Sequence, residues 1–173
     1  MWSRIKRVFK HRWFDESETR RAVPPDMLKR LQQRVAASEQ RHSGEIRIYV
    51  EAGLPLSYLL TDASTPQVTR QRALSIFGKL RVWDTANNNG VLIYLLLAEH
   101  AIEIVADRGL SQAVNPQVWQ EMVSRMSHAF KQGQFEEGLT HALEEVSALL
   151  VTHFPLAAGD ANPNELPDRP VLN

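Results

Sequence analysis

Three groups of residues in this chain carry types and spacings that could do chemistry. Asp84, Asn88, Asn89, Asp107 and Arg108 flank two apolar runs, residues 91–98 and 101–106. They offer oxygen ligands and one guanidinium. Such oxygens suit a hard cation, Ca²⁺ or Mg²⁺, with Asp84 and Asp107 as its carboxylate ligands. Two carboxylates are a thin complement, so the expected affinity is modest. Arg108 could instead hold a phosphate or carboxylate through its planar fork. Asn-Asn-Gly and Asp-Arg-Gly also read as plain turns, because Asn and Gly tolerate positive φ. The second group is Glu39, His42 and Glu45, which reads either as a solvated helix end or as an acid–base set. The third is Trp2, Ile5, Phe9 and Trp13, at helical spacing among Arg4, Lys6, Arg7, Lys10 and Arg12. Such a helix could lie on an anionic membrane surface. It could equally dock on its own domain or on a partner and bury both tryptophans.

Several reaction classes lack their signatures. There is no Gly-x-Gly-x-x-Gly, no Walker A loop and no His-Glu-x-x-His. The six histidines are scattered, and there is no cysteine, which rules out disulfides, zinc–thiolate sites and a thiol nucleophile. A net charge of zero argues against a dedicated nucleic-acid binder. That balance hides an asymmetry: residues 1–21 hold seven Lys/Arg against three Asp/Glu, and the excess of acid lies in the remainder. No apolar run approaches the ~18 residues of a membrane span. The basic N-terminus lacks the apolar core of a secretory signal. The expected compartment is the cytoplasm, with peripheral contact at the inner membrane through residues 1–14.

The elements that must position these groups follow from hydrophobic periodicity. Residues 91–98 are uninterrupted apolar, open with β-branched and aromatic residues, and read as a strand buried on both faces. Residues 101–106 alternate. So few residues separate the two runs that they must form an antiparallel hairpin. The hairpin is expected to bring Asp84, Asn88, Asn89, Asp107 and Arg108 together at one edge. Pro24-Pro25-Asp26 opens a helix with Leu28, Leu31 and Val35 on its stripe. Glu45–Glu51 alternates as a strand, with Arg47 and Tyr49 facing away from Ile46, Ile48 and Val50. A loop follows, and Pro66 starts a helix to about Leu80. Helices follow Asn115-Pro116 and Gly133. The order is helix, strand, helix, strand, strand, helix, helix. The first strand pairs in parallel with 91–98 or runs with 102–106, and the pattern does not choose. The length fits one domain, divided as a basic aromatic segment 1–21, a core 22–155, and a Pro-punctuated tail 156–173 that is extended or disordered.

Asn88-Asn89-Gly90-Val91-Leu92, then Ile102-Glu103-Ile104 and Gly109-Leu110, then Lys131-Gln132-Gly133-Gln134-Phe135 with Gly138-Leu139, resemble the TPM domain from about Ala22 to Pro155. The chain more closely resembles that family's signal-less bacterial branch. The shared phrases are Ser38-Glu39 with His42-Ser43-Gly44-Glu45-Ile46-Arg47, Arg81-Val82-Trp83-Asp84-Thr85, Glu103 to Gly109, and Asn164 to Val171. The resemblance implies a three-layer α/β/α sandwich around a small mixed sheet that includes the 91–98/101–106 hairpin. It also implies two functions. One is an accessory or interaction domain acting with a membrane-associated complex, with divalent-cation binding and a LemA-type membrane protein as partner. The alternative is a metal-assisted phosphatase acting on phosphate esters. This chain departs from the secreted members at two places. Arg20 stands near the position of their acid, and Asp107-Arg108-Gly109-Leu110-Ser111 replaces Gly-x-Gly-Leu-Glu. One acid is lost and one is gained at 107. The recurrence of residues 164–171 suggests a strap across the domain.

Overall fold

The computed structural model describes residues 2–14 and 16–173, with side chains for residues 7–14 and 17–173. Three helices come first: α1 (Trp2–Arg12), α2 (Glu16–Ala22) and α3 (Pro25–Glu39). Strand β1 (Ile46–Glu51) leads through a short α4 (Leu56–Leu59) and α5 (Thr65–Lys79) to β2 (Val91–Leu96). One turn of 3₁₀ helix and His100, at φ 47°, reverse the chain into β3 (Ala101–Ala106). Helices α6 (Arg108–Ala113), α7 (Pro116–Lys131) and α8 (Phe135–His153) follow, and β4 (Val171–Leu172) closes the fold.

The sheet has the order β3-β2-β1-β4. β1 pairs in parallel with β2, Ile46 opposite Val91, and β2 pairs antiparallel with β3, Val91 opposite Ala106. The choice left open by the sequence is thus settled: α5 lies in the connection between two parallel neighbours, which cannot be joined by a tight turn.

Helices cover both faces. Ile46, Ile48, Val50, Ile93 and Leu95 pack on one side with Leu31 and Val35 of α3, Met126 and Phe130 of α7, and Leu143 and Val146 of α8. Tyr49, Leu92, Tyr94 and Val105 face the other way, against Val68, Ala73 and Ile76 of α5. The result is the expected α/β/α sandwich. The uninterrupted run of β2 is explained by this double cover, since a strand with helices on both faces has no side for water. Burying each Leu or Ile of this kind contributes about 1.5–3 kcal/mol.

Four elements are absent from the periodicity: α4, inside the stretch read as a loop, and three others. Acidic Glu16–Glu18 do not simply end the N-terminal helix but begin α2, where carboxylates favour a helix start. The strand-to-helix turn at Asp107 opens into α6. The tail is ordered and extended: Val171 and Leu172 pair with Tyr49 and Val50, Asn173 donates to Val50 O, and Ala52 donates to Asn173 O. This tail explains why Arg47 and Tyr49, on the face away from the first core, are nevertheless buried.

Candidate functional site

β2 and β3 bring the first group of residues to one end of the sheet. The close approach there requires glycine. A Cβ on Gly90 would stand 1.9 Å from Val82 O, and one on Gly109 2.6 Å from Asn87 O. Asn88 takes a left-handed conformation, φ 52°. Its carbonyl accepts from Gly109 N at 2.8 Å and its Oδ1 accepts from Arg108 Nη2 at 3.1 Å. Asp107 caps α6, its Oδ1 accepting from Arg108 N at 2.7 Å. Asn89 donates from its backbone to Thr85 Oγ1 at 3.1 Å and from Nδ2 to Ser43 Oγ at 3.2 Å.

Asn88, Asn89, Asp107 and Arg108 therefore converge, and Ser43 from the start of β1 joins them. Asp84 does not take part: it pairs with Arg81 at 2.7 Å on the exposed Trp83 loop. Two oxygens at this edge are buried without a protein partner, Asn89 Oδ1 and Asp107 Oδ2. An unmet buried acceptor costs about 1–3 kcal/mol. Among the described residues no three His, Asp or Glu side chains gather as a metal-ligating group. A carboxylate oxygen and an amide oxygen are the ligand types of a hard cation, but both are closed to water in this structure, so an ion that keeps its water would reach them only if this edge opened.

The second group is not a solvated helix end. Glu39, His42 and Glu45 are all buried, because residues 160–168 close over the end of α3. Glu39 Oε1 accepts from Ile46 N at 2.9 Å. Burial pushes its carboxyl up to about 8, and the nearby Glu45 and Asp168 add to the rise. Burial also raises Glu45, against hydrogen bonds from the backbone of Glu165 and Leu166. It pushes His42 down to about 4, so His42 is neutral in the folded chain at pH 7. Its Nδ1–H donates to Gly44 O at 3.1 Å, and Nε2 lies 2.9 Å from Ser38 Oγ.

A third constellation escaped the sequence reading. At the opposite end of β1, Glu51 accepts from Arg72 Nη2 at 2.6 Å and from the Tyr94 hydroxyl at 2.6 Å. Asn173 Nδ2 donates to the same carboxylate at 3.3 Å. Arg72 lies over the Tyr58 ring. Burial, with Glu51 close by, drives the Tyr94 phenol far above its usual range. Both Glu51 oxygens are satisfied, so the cluster anchors the core rather than reacts. The available signal was Arg72 itself, one turn from Val68 and one from Ile76 on the buried stripe of α5.

The N-terminal helix docks on its own domain, but not through Trp13. His11 is buried: its Nδ1 accepts from Leu54 N at 3.0 Å and its Nε2 meets Glu99 Oε1 at 2.8 Å. Arg7 donates to the carbonyls of Leu59, Thr61 and Ala63. Lys10 pairs with Glu99 at 2.7 Å. Phe9 and Trp13 are left 63% and 82% exposed. The side chains of Trp2 and Ile5 lie outside the described residues.

Residues 21–149 match the TPM domain. The chain is similar to the BA42 protein of the psychrophilic bacterium Bizionia argentinensis, whose structure was solved by NMR. The two share 27% identity and a TM-score of 0.70 over 86% of this chain and 94% of that one. No curated protein matches.

Proposed function

This chain belongs to the TPM domain family, and from that premise we propose that it is an interaction module acting with a membrane-associated protein complex. The observation that carries this reading is the mounting of α1. Polar groups, Arg7, Lys10 and His11, fasten the helix to the domain, while Phe9 and Trp13 stay in solvent. A docked helix normally turns its aromatics inward, since that burial is its main source of stability. Here Val8 and Phe14 pack on the domain, but among the described aromatics Phe9 and Trp13 face outward. Next to α1, α4 adds Leu56 and Leu60, each more than half exposed. Basic side chains beside exposed aromatics suit the interface of an anionic bilayer, or a protein lying on it. By family resemblance, the partner on that membrane is a LemA-type protein. No helix among the described residues is long and apolar enough to cross a membrane.

The membrane part is tested by co-sedimentation with vesicles of phosphatidylglycerol and phosphatidylcholine. The intact chain is expected to pellet with anionic vesicles and to be released by salt. Phe9→Ser with Trp13→Ser should weaken binding at least about tenfold, for the loss of two aromatics from the bilayer interface. Equal, negligible pelleting of both forms removes the membrane part.

The two unpartnered oxygens favour a second reading. A divalent cation admitted to Asp107 by an opening of this edge, with the Arg108 guanidinium released from Asn88, could bind a phosphate ester. An Asp107→Ala protein that hydrolyses phosphate esters at the wild-type rate would sink that assignment, whereas Asp84→Ala, outside the site, should leave the rate unchanged.

A further inference from the structure

We propose that residues 162–173 form a releasable strap, locked by a carboxyl–carboxylate contact between Glu39 of α3 and Asp168, whose opening frees both the outer edge of β1 and the 83–89 loop. Three sets of contacts show what the strap holds. At its end, Val171, Leu172 and Asn173 cover the β1 edge from Tyr49 to Ala52. In its middle, Leu166 inserts into the second core and its N–H donates to Glu45 Oε2 at 3.1 Å. At its start, Asn162 Nδ2 donates to His42 O at 2.9 Å, and Glu165 accepts from Ala86 N at 2.9 Å. Ala86 lies in the loop that presents Asn88 and Asn89. One segment thus ties the sheet edge to the candidate site.

The lock is an unusual contact for a fold to keep. Glu39 is 5% exposed and lines one small cleft together with Asp168, whose carboxylate is among the groups that raise it. A buried carboxyl facing another acid is costly to ionise, so burial with the neighbouring acids favours a proton on Glu39, which it can donate across the cleft. Glu45 adds a third carboxyl, with Oε1 buried and unpartnered. Arg47 of β1 is the cation facing Glu39 and Asp168. Glu165 faces Glu45, and Asp160 lines the same small cleft as Glu39 and Asp168. One guanidinium among these acids leaves the cluster short of positive charge unless a proton is retained. Burial favours Glu39 as its holder. The cleft admits water, so the proton can exchange without unfolding the domain.

The direction of the effect follows from linkage. With the strap closed, Glu39 keeps its proton up to about pH 8. In an opened, solvated state it releases the proton in the ordinary carboxylate range. The closed state therefore binds more protons, and opening becomes easier as pH rises toward 8, by at most about tenfold per unit for one proton. Above 8 the effect levels off. Below about 6.5 His42 enters with the opposite sign, so the clean window is pH 6.5–8.

Amide hydrogen exchange on the full chain tests this at Ala52, Ala86 and Leu166, whose N–H groups the strap holds. Rates are taken relative to the unstructured chain at the same pH, with Ile93 in the central strand as reference. Protection at the three strap-dependent amides should fall between pH 6.5 and 8, while Ile93 holds. In Glu39→Gln, whose amide can still donate to Asp168 and accept from Ile46, protection should stay flat. Protection in the wild type that is flat across the window, or that falls equally in Glu39→Gln, overturns the proposal. The wild-type profile decides alone if the variant does not fold.

Discussion

Asp107 has two oxygens in different situations, and substitution can separate them. Oδ1 caps α6 and Oδ2 is buried without a partner. Asp107→Asn keeps the capping oxygen and removes the charge; Asp107→Ala removes both. Loss of the cap costs about 1 kcal/mol. Relief of an unmet buried acceptor returns about 1–3 kcal/mol. Without cation, Asp107→Ala should therefore lie between the wild type's stability and about 2 kcal/mol above it in urea unfolding, and Asp107→Asn, which keeps the cap and puts an unmet donor in place of the unmet acceptor, should lie close to the wild type. Cation should change this ranking. A site with a millimolar Kd is stabilised by about 1.4 kcal/mol at 10 mM ligand. For a chain of 173 residues that is a rise in Tm of about 4 °C. The assay is thermal unfolding by circular dichroism in 10 mM MgCl₂ or CaCl₂, against NaCl at matched ionic strength. The wild type should gain, and neither variant should. A wild type unmoved by both cations, or an Asp107→Asn protein that gains as much, would refute the reasoning and leave Asp107 as a cap alone.

Other expectations rest on neighbouring features. Gly90→Ala places a methyl 1.9 Å from Val82 O, against backbone that cannot turn aside. It should lower stability by about 3 kcal/mol or more, read as a lower urea midpoint at unchanged slope. Glu51→Ala strands Arg72 beside Tyr94 without its counter-ion and should cost about 3–5 kcal/mol, whereas Glu51→Gln, which keeps an acceptor, should cost less. His11→Ala leaves Leu54 N unmet and Glu99 with Lys10 alone. It should expose the 12–16 segment to trypsin at concentrations that spare the wild type. Urea stability should fall as pH rises from 6.5 to 8, because folded Glu39, with its carboxyl at about 8, holds a proton the unfolded chain has lost. Below 6.5 the buried, neutral His42, pushed down to about 4, acts in the opposite sense and should flatten the curve toward acid.

The hairpin, the helices on their apolar stripes and the double burial of residues 91–98 were legible in the sequence. Each follows from local periodicity and from a connection too short to cross the sheet. Convergence of Asn88, Asn89, Asp107 and Arg108 was legible for the same reason, since an antiparallel pair must bring those ends together. The sequence also placed Asp84 there, but a side chain seven residues ahead of β2 answers to its own turn, and here that turn offers Arg81. The parallel pairing of β1 with β2 was undecided because alternation is symmetric to strand direction. Burial of Glu39, His42 and Glu45 depends on a segment more than 110 residues away in sequence, and no local pattern records such a cover. The same holds for the tail. Its prolines suppress helix and so read as disorder, yet they also suit an extended strand at a sheet edge. Local side-chain order in this protein thus decides which elements form. The tertiary structure decides which charges lose their water, and with them where protons and cations can be held.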